Sequence, residues 1–119
     1  MTVNGTSQDE ATPVVVSPLN EPLTANQEWN VTLYRNGSSI LQSVNSFVQY
    51  INSSNGDTVV SLNPRNASAL QIKNSISGNY ICTDDYNCFT GSPTPDTQII
   101  MGPLDGSLFQ NWIFEPVGN

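Results

Sequence analysis

Cys82 and Cys88 stand six positions apart around Thr83-Asp84-Asp85-Tyr86-Asn87, so two thiols, two adjacent carboxylates and a phenol share one short stretch. The thiols are open to two readings: a local disulfide, which loop-closure entropy values at about 2 kcal/mol, or two free thiols that happen to be close in sequence. Asp84, Asp85 and Asn87 offer oxygen ligands to a hard cation such as Ca²⁺, and the plainer reading of the same residues is a solvated acidic loop. Elsewhere, side-chain amides gather at Asn26-Gln27 and Gln110-Asn111, and Arg65 sits in Asn63-Pro64-Arg65-Asn66.

These residues do not add up to a catalytic set. The chain has no His, which removes the commonest general base and the commonest transition-metal ligand. It has no Gly-x-Ser-x-Gly and no phosphate loop, and no second carboxylate cluster divides acid and base roles with Asp84 and Asp85. The expectation is a protein that is not an enzyme and carries no cofactor. Three basic residues, Arg35, Arg65 and Lys73, face ten acidic ones, for a formal charge of −7. That balance repels a phosphate backbone and an anionic membrane surface, so neither nucleic acid nor membrane is expected as a partner. No apolar run approaches the roughly 20 residues of a spanning helix.

The elements that must position these residues are strands. At 119 residues the chain has room for one modest core. With charged residues at 11%, its solubility rests on Asn, Ser, Thr and Gln. Trp29-Asn30-Val31-Thr32-Leu33 alternates apolar and polar, the period of a half-buried strand, and Asn36-Gly37 is a hairpin turn signal. Further strands are expected over residues 12–16, 39–44, 47–51, 58–62, 70–72, 97–101 and 112–115, with a strand–turn–strand over 74–81. Pro18 and Pro22 rule out helix in the loop after residue 16, and nowhere do apolar residues keep helical spacing.

One order recurs three times: a polar loop, a β-branched strand, then a large apolar residue. The strands at 12–16, 58–62 and 97–101 lead to Trp29, Leu70 and Trp112, which are 41 and 42 residues apart. The middle unit is shorter, so either a strand is missing from it or Leu70-Gln71-Ile72 serves two roles.

Asn26-Gln27-Glu28-Trp29 and Gln110-Asn111-Trp112 are similar to the Gln-x-Trp signature of the ricin-B-like β-trefoil family, and Asn74-Ser75-Ile76-Ser77-Gly78-Asn79-Tyr80-Ile81 resembles the strand–turn–strand that opens its repeats. The resemblance covers nearly the whole chain and implies one all-β trefoil domain over residues 1–119. Its approximate repeats are 1–33, 34–73 and 74–119, the first and second incomplete. Tyr80-Ile81-Cys82 also imitates an immunoglobulin strand, but no cysteine lies upstream to cross a sandwich.

The resemblance implies a lectin-like module, of the kind found in fungi, that binds glycans or glycoproteins. In such a lobe a carboxylate accepts bonds from sugar hydroxyls, an aromatic ring stacks on the pyranose face, and an Asn-Gln pair completes the polar ring. The first lobe keeps Asn26 and Gln27 but has Thr2 for the carboxylate, Ser17 for the ring and Val15 for a further polar residue. The third keeps Gln110, has Phe109 for the Asn, and carries Asp84, Asp85 and Tyr86 nearby. The second lacks Gln-x-Trp. Some small fungal β-trefoils that resemble the chain are instead protease inhibitors. For that use the presented loop would be Asn63, Pro64, Arg65 and Asn66, with Arg65 entering an acidic pocket.

Two further expectations concern context. Sequons at Asn4, Asn30, Asn36, Asn52 and Asn66 suit a secreted glycoprotein. The family pattern puts a strand before Met1-Thr2-Val3, and the open edge is expected either to join a second copy of the chain or to be mobile.

Overall fold

The computed structural model describes residues 1–6, 9–18, 22, 24–34, 36–45, 49–53, 56–75, 77–83 and 85–115. Asp84, Arg35 and the first half of the strand expected over 47–51 lie outside the described residues. Among the described residues ten strands are formed: β1 (Thr2–Val3), β2 (Val14–Val15), β3 (Trp29–Leu33), β4 (Ser39–Ser43), β5 (Tyr50–Asn52), β6 (Val59–Ser61), β7 (Gln71–Asn74), β8 (Asn79–Cys82), β9 (Asn87–Thr90) and β10 (Ile100–Pro103). They make one two-stranded sheet, β1-β2, and two antiparallel four-stranded sheets in the orders β3-β4-β5-β6 and β10-β9-β8-β7. Among the described residues the only helical elements are short 3-10 turns.

Burial alternates along β4 but not along β3. Trp29-Asn30-Val31-Thr32-Leu33 alternates in sequence, yet Trp29 is half-buried and the other four residues are exposed, so the half-buried face expected there is not formed. Along Ser39-Ile40-Leu41-Gln42-Ser43 burial alternates between full and partial, with Leu41 inside. The β3–β4 turn closes with Gly37 at φ 85°, a conformation that favours glycine, and with the Gly37 amide donating to the Tyr34 carbonyl at 3.0 Å.

Three segments far apart in the chain close the barrel. The Val14 amide donates to the Thr58 carbonyl, Thr58 to Ile99, and Ile99 back to Val14, each at 2.9 Å. A second cycle runs around the first: Val16 to Thr97 at 2.9 Å, Val60 to Thr12 at 2.9 Å, and Met101 to Gly56 at 2.8 Å. Isolated bridges Pro13↔Val59, Val15↔Gln98 and Asp57↔Ile100 follow the same threefold order. Val14, Thr58 and Ile99 are therefore equivalent positions in three lobes. The core gathers around them from Val3, Leu41, Ile51, Val60, Leu70, Ile81 and Phe89, with Trp29 and Trp112 packed on its margin.

The lobes are unequal. Every lobe has a 3-10 turn after its ring strand, at Ala25–Gln27, Pro64–Asn66 and Leu108–Gln110. In the second lobe that turn follows β6 almost directly, so the shortening falls in the loop. Leu70 does serve two roles there: it bridges to Ser39 of its own lobe and leads straight into β7, which pairs with β8 of the next. In the first lobe β1 is only two residues long, and no described strand lies before it.

Ile99→Ala removes a fully buried side chain at the ring and is expected to cost about 2–5 kcal/mol. Leu33→Ala, at a position 72% exposed, is expected to stay within about 0.5 kcal/mol of wild type. Urea unfolding of both variants checks the contrast.

Candidate functional site

A β-trefoil spends the inward faces of its strands on the core, so a ligand site has to be built from the loops and 3-10 turns that join them. The two Gln-x-Trp stretches form such turns, and they do so identically. The Trp29 indole donates to the Met1 carbonyl and the Trp112 indole to the Phe89 carbonyl, both at 3.0 Å. The Gln27 amide donates to the Pro18 carbonyl at 2.8 Å, and the Gln110 amide to the Pro103 carbonyl, also at 2.8 Å. Each glutamine also reaches a threonine hydroxyl, Thr2 at 3.3 Å and Thr90 at 3.2 Å. These are two copies of one brace that fastens a 3-10 turn to a strand and to the loop leaving the ring.

The brace uses up the polar groups expected to meet a ligand. Gln110 is 1% exposed, and its carbonyl oxygen accepts the Asp105 amide at 2.9 Å. Asn26 is buried, donates to the Val3 carbonyl at 3.0 Å and accepts from Thr24 Oγ1 at 2.6 Å. In the first lobe Thr2 and Ser17 hydrogen-bond each other at 2.6 Å, and Gln27 donates to Ser17 at 3.2 Å. The carboxylate and ring positions of that lobe are thus occupied by hydroxyls bonded to one another. In the third lobe Thr90, and not Asp85, holds the place equivalent to Thr2.

The second lobe reaches the same end without an indole. The Ser68 amide donates directly to the Ile51 carbonyl at 2.9 Å, and Asn66 Nδ2 reaches Ser61 Oγ at 3.2 Å. Asn63, Pro64, Arg65 and Asn66 belong to this turn: the Asn63 side chain caps it by accepting the Arg65 amide at 3.0 Å, and the Asn66 amide donates to the Asn63 carbonyl at 2.9 Å. The stretch expected to be an inhibitory loop is the lobe's own 3-10 turn, its shape explained by the fold. Arg65 is exposed on it.

The cysteine loop is different. Cys82 and Cys88 are joined by a disulfide and pair directly across β8 and β9. Inside the loop the Thr83 amide donates to the Asn87 carbonyl at 2.8 Å and the Tyr86 amide to the Thr83 carbonyl at 3.1 Å. The Asp85 carboxylate accepts Thr83 Oγ1 and, at 3.1 Å, Asn87 Nδ2. The Thr83 hydroxyl, first among these donors, holds Asp85 below the usual carboxylate range. Tyr86 adopts φ 60°, the left-handed region, and is 57% exposed. Lys73 Nζ stands 4.8 Å from its ring centroid, a cation–π contact. Lys73 was invisible to motif reasoning; its one signal was being among only three cations in the chain.

Gln110 and Tyr86 are linked at one remove. Gln110 grips Pro103 and Asp105, and between them the Leu104 amide donates to the Tyr86 carbonyl at 3.0 Å. Gln110 thus anchors the loop against which Tyr86 is held, without facing solvent itself.

No family model matches the chain, and no curated protein matches it. Solved structures do. The Rhizoctonia solani agglutinin aligns with a TM-score of 0.82 at 20% identity, over 95% of this chain and 83% of its own. ThreeFoil, a designed 3-fold symmetric protein, aligns with a TM-score of 0.78 at 14% identity, over 94% and 86%. A mosquitocidal holotoxin aligns with a TM-score of 0.77 at 18% identity, over 94% of this chain but 15% of that one. At such identities the likeness establishes the fold, a β-trefoil.

Gln110→Ala empties a fully buried position and breaks hydrogen bonds to Pro103, Asp105 and Thr90, and is expected to lose at least about 2 kcal/mol of stability, against about 1 kcal/mol for the half-exposed Gln27→Ala. Denaturant melts decide. Replacing both cysteines by Ser is expected to cost about 2 kcal/mol, seen as a lower melting temperature that reductant reproduces in the wild type.

Proposed function

We propose that the chain is a non-catalytic carbohydrate-binding module whose principal site is the Asp85–Tyr86 tip of the third lobe. The observation that carries this reading is an exposed tyrosine held in left-handed backbone beside an ionised carboxylate, in a loop closed by a disulfide. A bulky residue in that region is strained, and strain of this kind collects where a side chain must be aimed outward. A sugar offers C–H groups on its face and hydroxyls on its edge. The Tyr86 ring suits the first and the Asp85 carboxylate the second. The trefoil likeness to an agglutinin supports the same reading, with glycans or glycoproteins as partners.

Asn26, Gln27 and Gln110 act in this reading as the scaffold of the site. The inhibitor alternative gains nothing from the geometry or from the proteins the chain resembles, and is not carried further.

Tyr86→Ala is expected to abolish retention on a glycan array while leaving the melting temperature within a few degrees of wild type. Undiminished retention would exclude the tip. The pH profile adds a signature. A carboxylate whose pKa is lowered acts as an acceptor above that pKa and is lost as pH falls through it. Binding should therefore persist through about pH 3.9, where an ordinary aspartate is half protonated, and decline only below. Asp85→Asn should flatten that decline.

A further inference from the structure

A recess of about 60 Å³ lies in the same lobe, between the turn joining β7 to β8 and the loop leading to the turn Leu108–Gln110. Its lining includes Ser75, Ser77, Tyr80, Gly106, Leu108 and Asn111. One water needs about 10–15 Å³ of such volume, so the recess admits a group of a few heavy atoms and not a six-membered ring.

The walls of the recess are fixed by specific residues. A Cβ on Gly78 would meet the Trp112 carbonyl oxygen at 2.6 Å and Asn111 Oδ1 at 2.8 Å, so only glycine lets the β7–β8 turn close down on Asn111. Gly106 sits at φ 73°, and a Cβ there would stand 3.9 Å from the Tyr80 hydroxyl. Asn111 is fixed at both ends: its Oδ1 accepts Ser75 Oγ and its Nδ2 donates to Ser77 Oγ at 3.0 Å. The Ser77 hydroxyl, having accepted that bond, keeps its own proton to donate. No described residue bonds the Tyr80 hydroxyl, which borders the recess as a second donor or acceptor. Leu108, 83% exposed, forms an apolar rim, and none of these side chains is charged.

The recess and the Tyr86 tip are reached from one face of the β7–β8 pair. Lys73 and Tyr80 are directly opposed across β7 and β8 and so project to the same face, and Lys73 Nζ lies over the Tyr86 ring. The loop that carries Gly106 is the one whose Leu104 amide bonds Tyr86.

We infer that this recess is a second subsite, taking a neutral hydroxyl- or amide-bearing substituent of a second sugar unit when the first unit lies on Tyr86. The inference rests on the carbohydrate-binding reading and extends it: the module reads a glycan of at least two units, not a single sugar. Ser77 and Tyr80 would hydrogen-bond the substituent, and Leu108 would meet the C–H face of the ring that stays outside.

The test uses the full chain on an array of neutral glycans of one to four units, with calorimetry on those retained. The expected result is about tenfold tighter binding of two units than of one. Tyr80→Phe and Ser77→Ala should each remove about five- to tenfold of the two-unit affinity, the worth of one hydrogen bond. One-unit binding should not change; the melting temperature should hold in Tyr80→Phe and fall by at most a few degrees in Ser77→Ala, which also frees Asn111 Nδ2. If two units bind no tighter than one, or if both variants keep the length preference while Tyr86→Ala abolishes retention, the subsite is overturned and the module reading stands. If wild type retains no glycan, both are overturned.

Discussion

The cycle of amides and carbonyls through Val14, Thr58 and Ile99 is the constraint on which the rest of the molecule depends. All three residues are buried, and a buried amide without a partner costs about 1–3 kcal/mol. The partners come from segments 44 and 41 residues apart in the chain, so no lobe can satisfy its own ring position. Closure is collective, and contacts of such separation make folding slow compared with a chain of local contacts. The strands leaving the ring then fix where each 3-10 turn and each loop must fall.

Around that ring the protein uses amides and hydroxyls where others use charge. Asn26, Gln49, Gln110, Thr58 and several serines are buried, and among the described residues no buried side-chain nitrogen or oxygen lacks a partner. Burying a neutral polar group is tolerable when it is hydrogen-bonded, whereas a buried charge demands far more. An interior of this kind explains how a chain with 11% charged residues still folds with a modest apolar core.

Much of the fold could be read in advance because trefoil geometry imposes a period. Alternation located β3, although its apolar residues after Trp29 are exposed instead of half-buried, and the spacing of Trp29, Leu70 and Trp112 carries a structural meaning: Leu70 bridges Ser39 as Trp112 bridges Asn79. The ligand-facing residues were less legible. An Asn or Gln beside a tryptophan reads the same whether its amide points to solvent or to a carbonyl, and the direction of Gln110 is decided by Pro103 and Asp105, which sequence spacing does not bring together. The left-handed Tyr86 sits in a loop closed by the disulfide and bonded by the Leu104 amide, and a local pattern reveals neither contact. Tyr80 read only as a strand residue, since its recess is assembled from the β7–β8 turn and the loop at Gly106, which sequence spacing does not bring together.

The chain's two tryptophans close the first and third lobes through the same indole-to-carbonyl bond, whereas the second lobe closes through the Ser68 main chain. Intrinsic fluorescence is thereby a lopsided reporter. Under excitation selective for tryptophan, both emitters sit in matched surroundings and sense the fastening of two lobes, while the middle third of the molecule carries no tryptophan. Loosening confined to β5, β6 and the turn at Pro64–Asn66 would escape that signal and register in Tyr50, which lies in β5, or in circular dichroism and amide exchange.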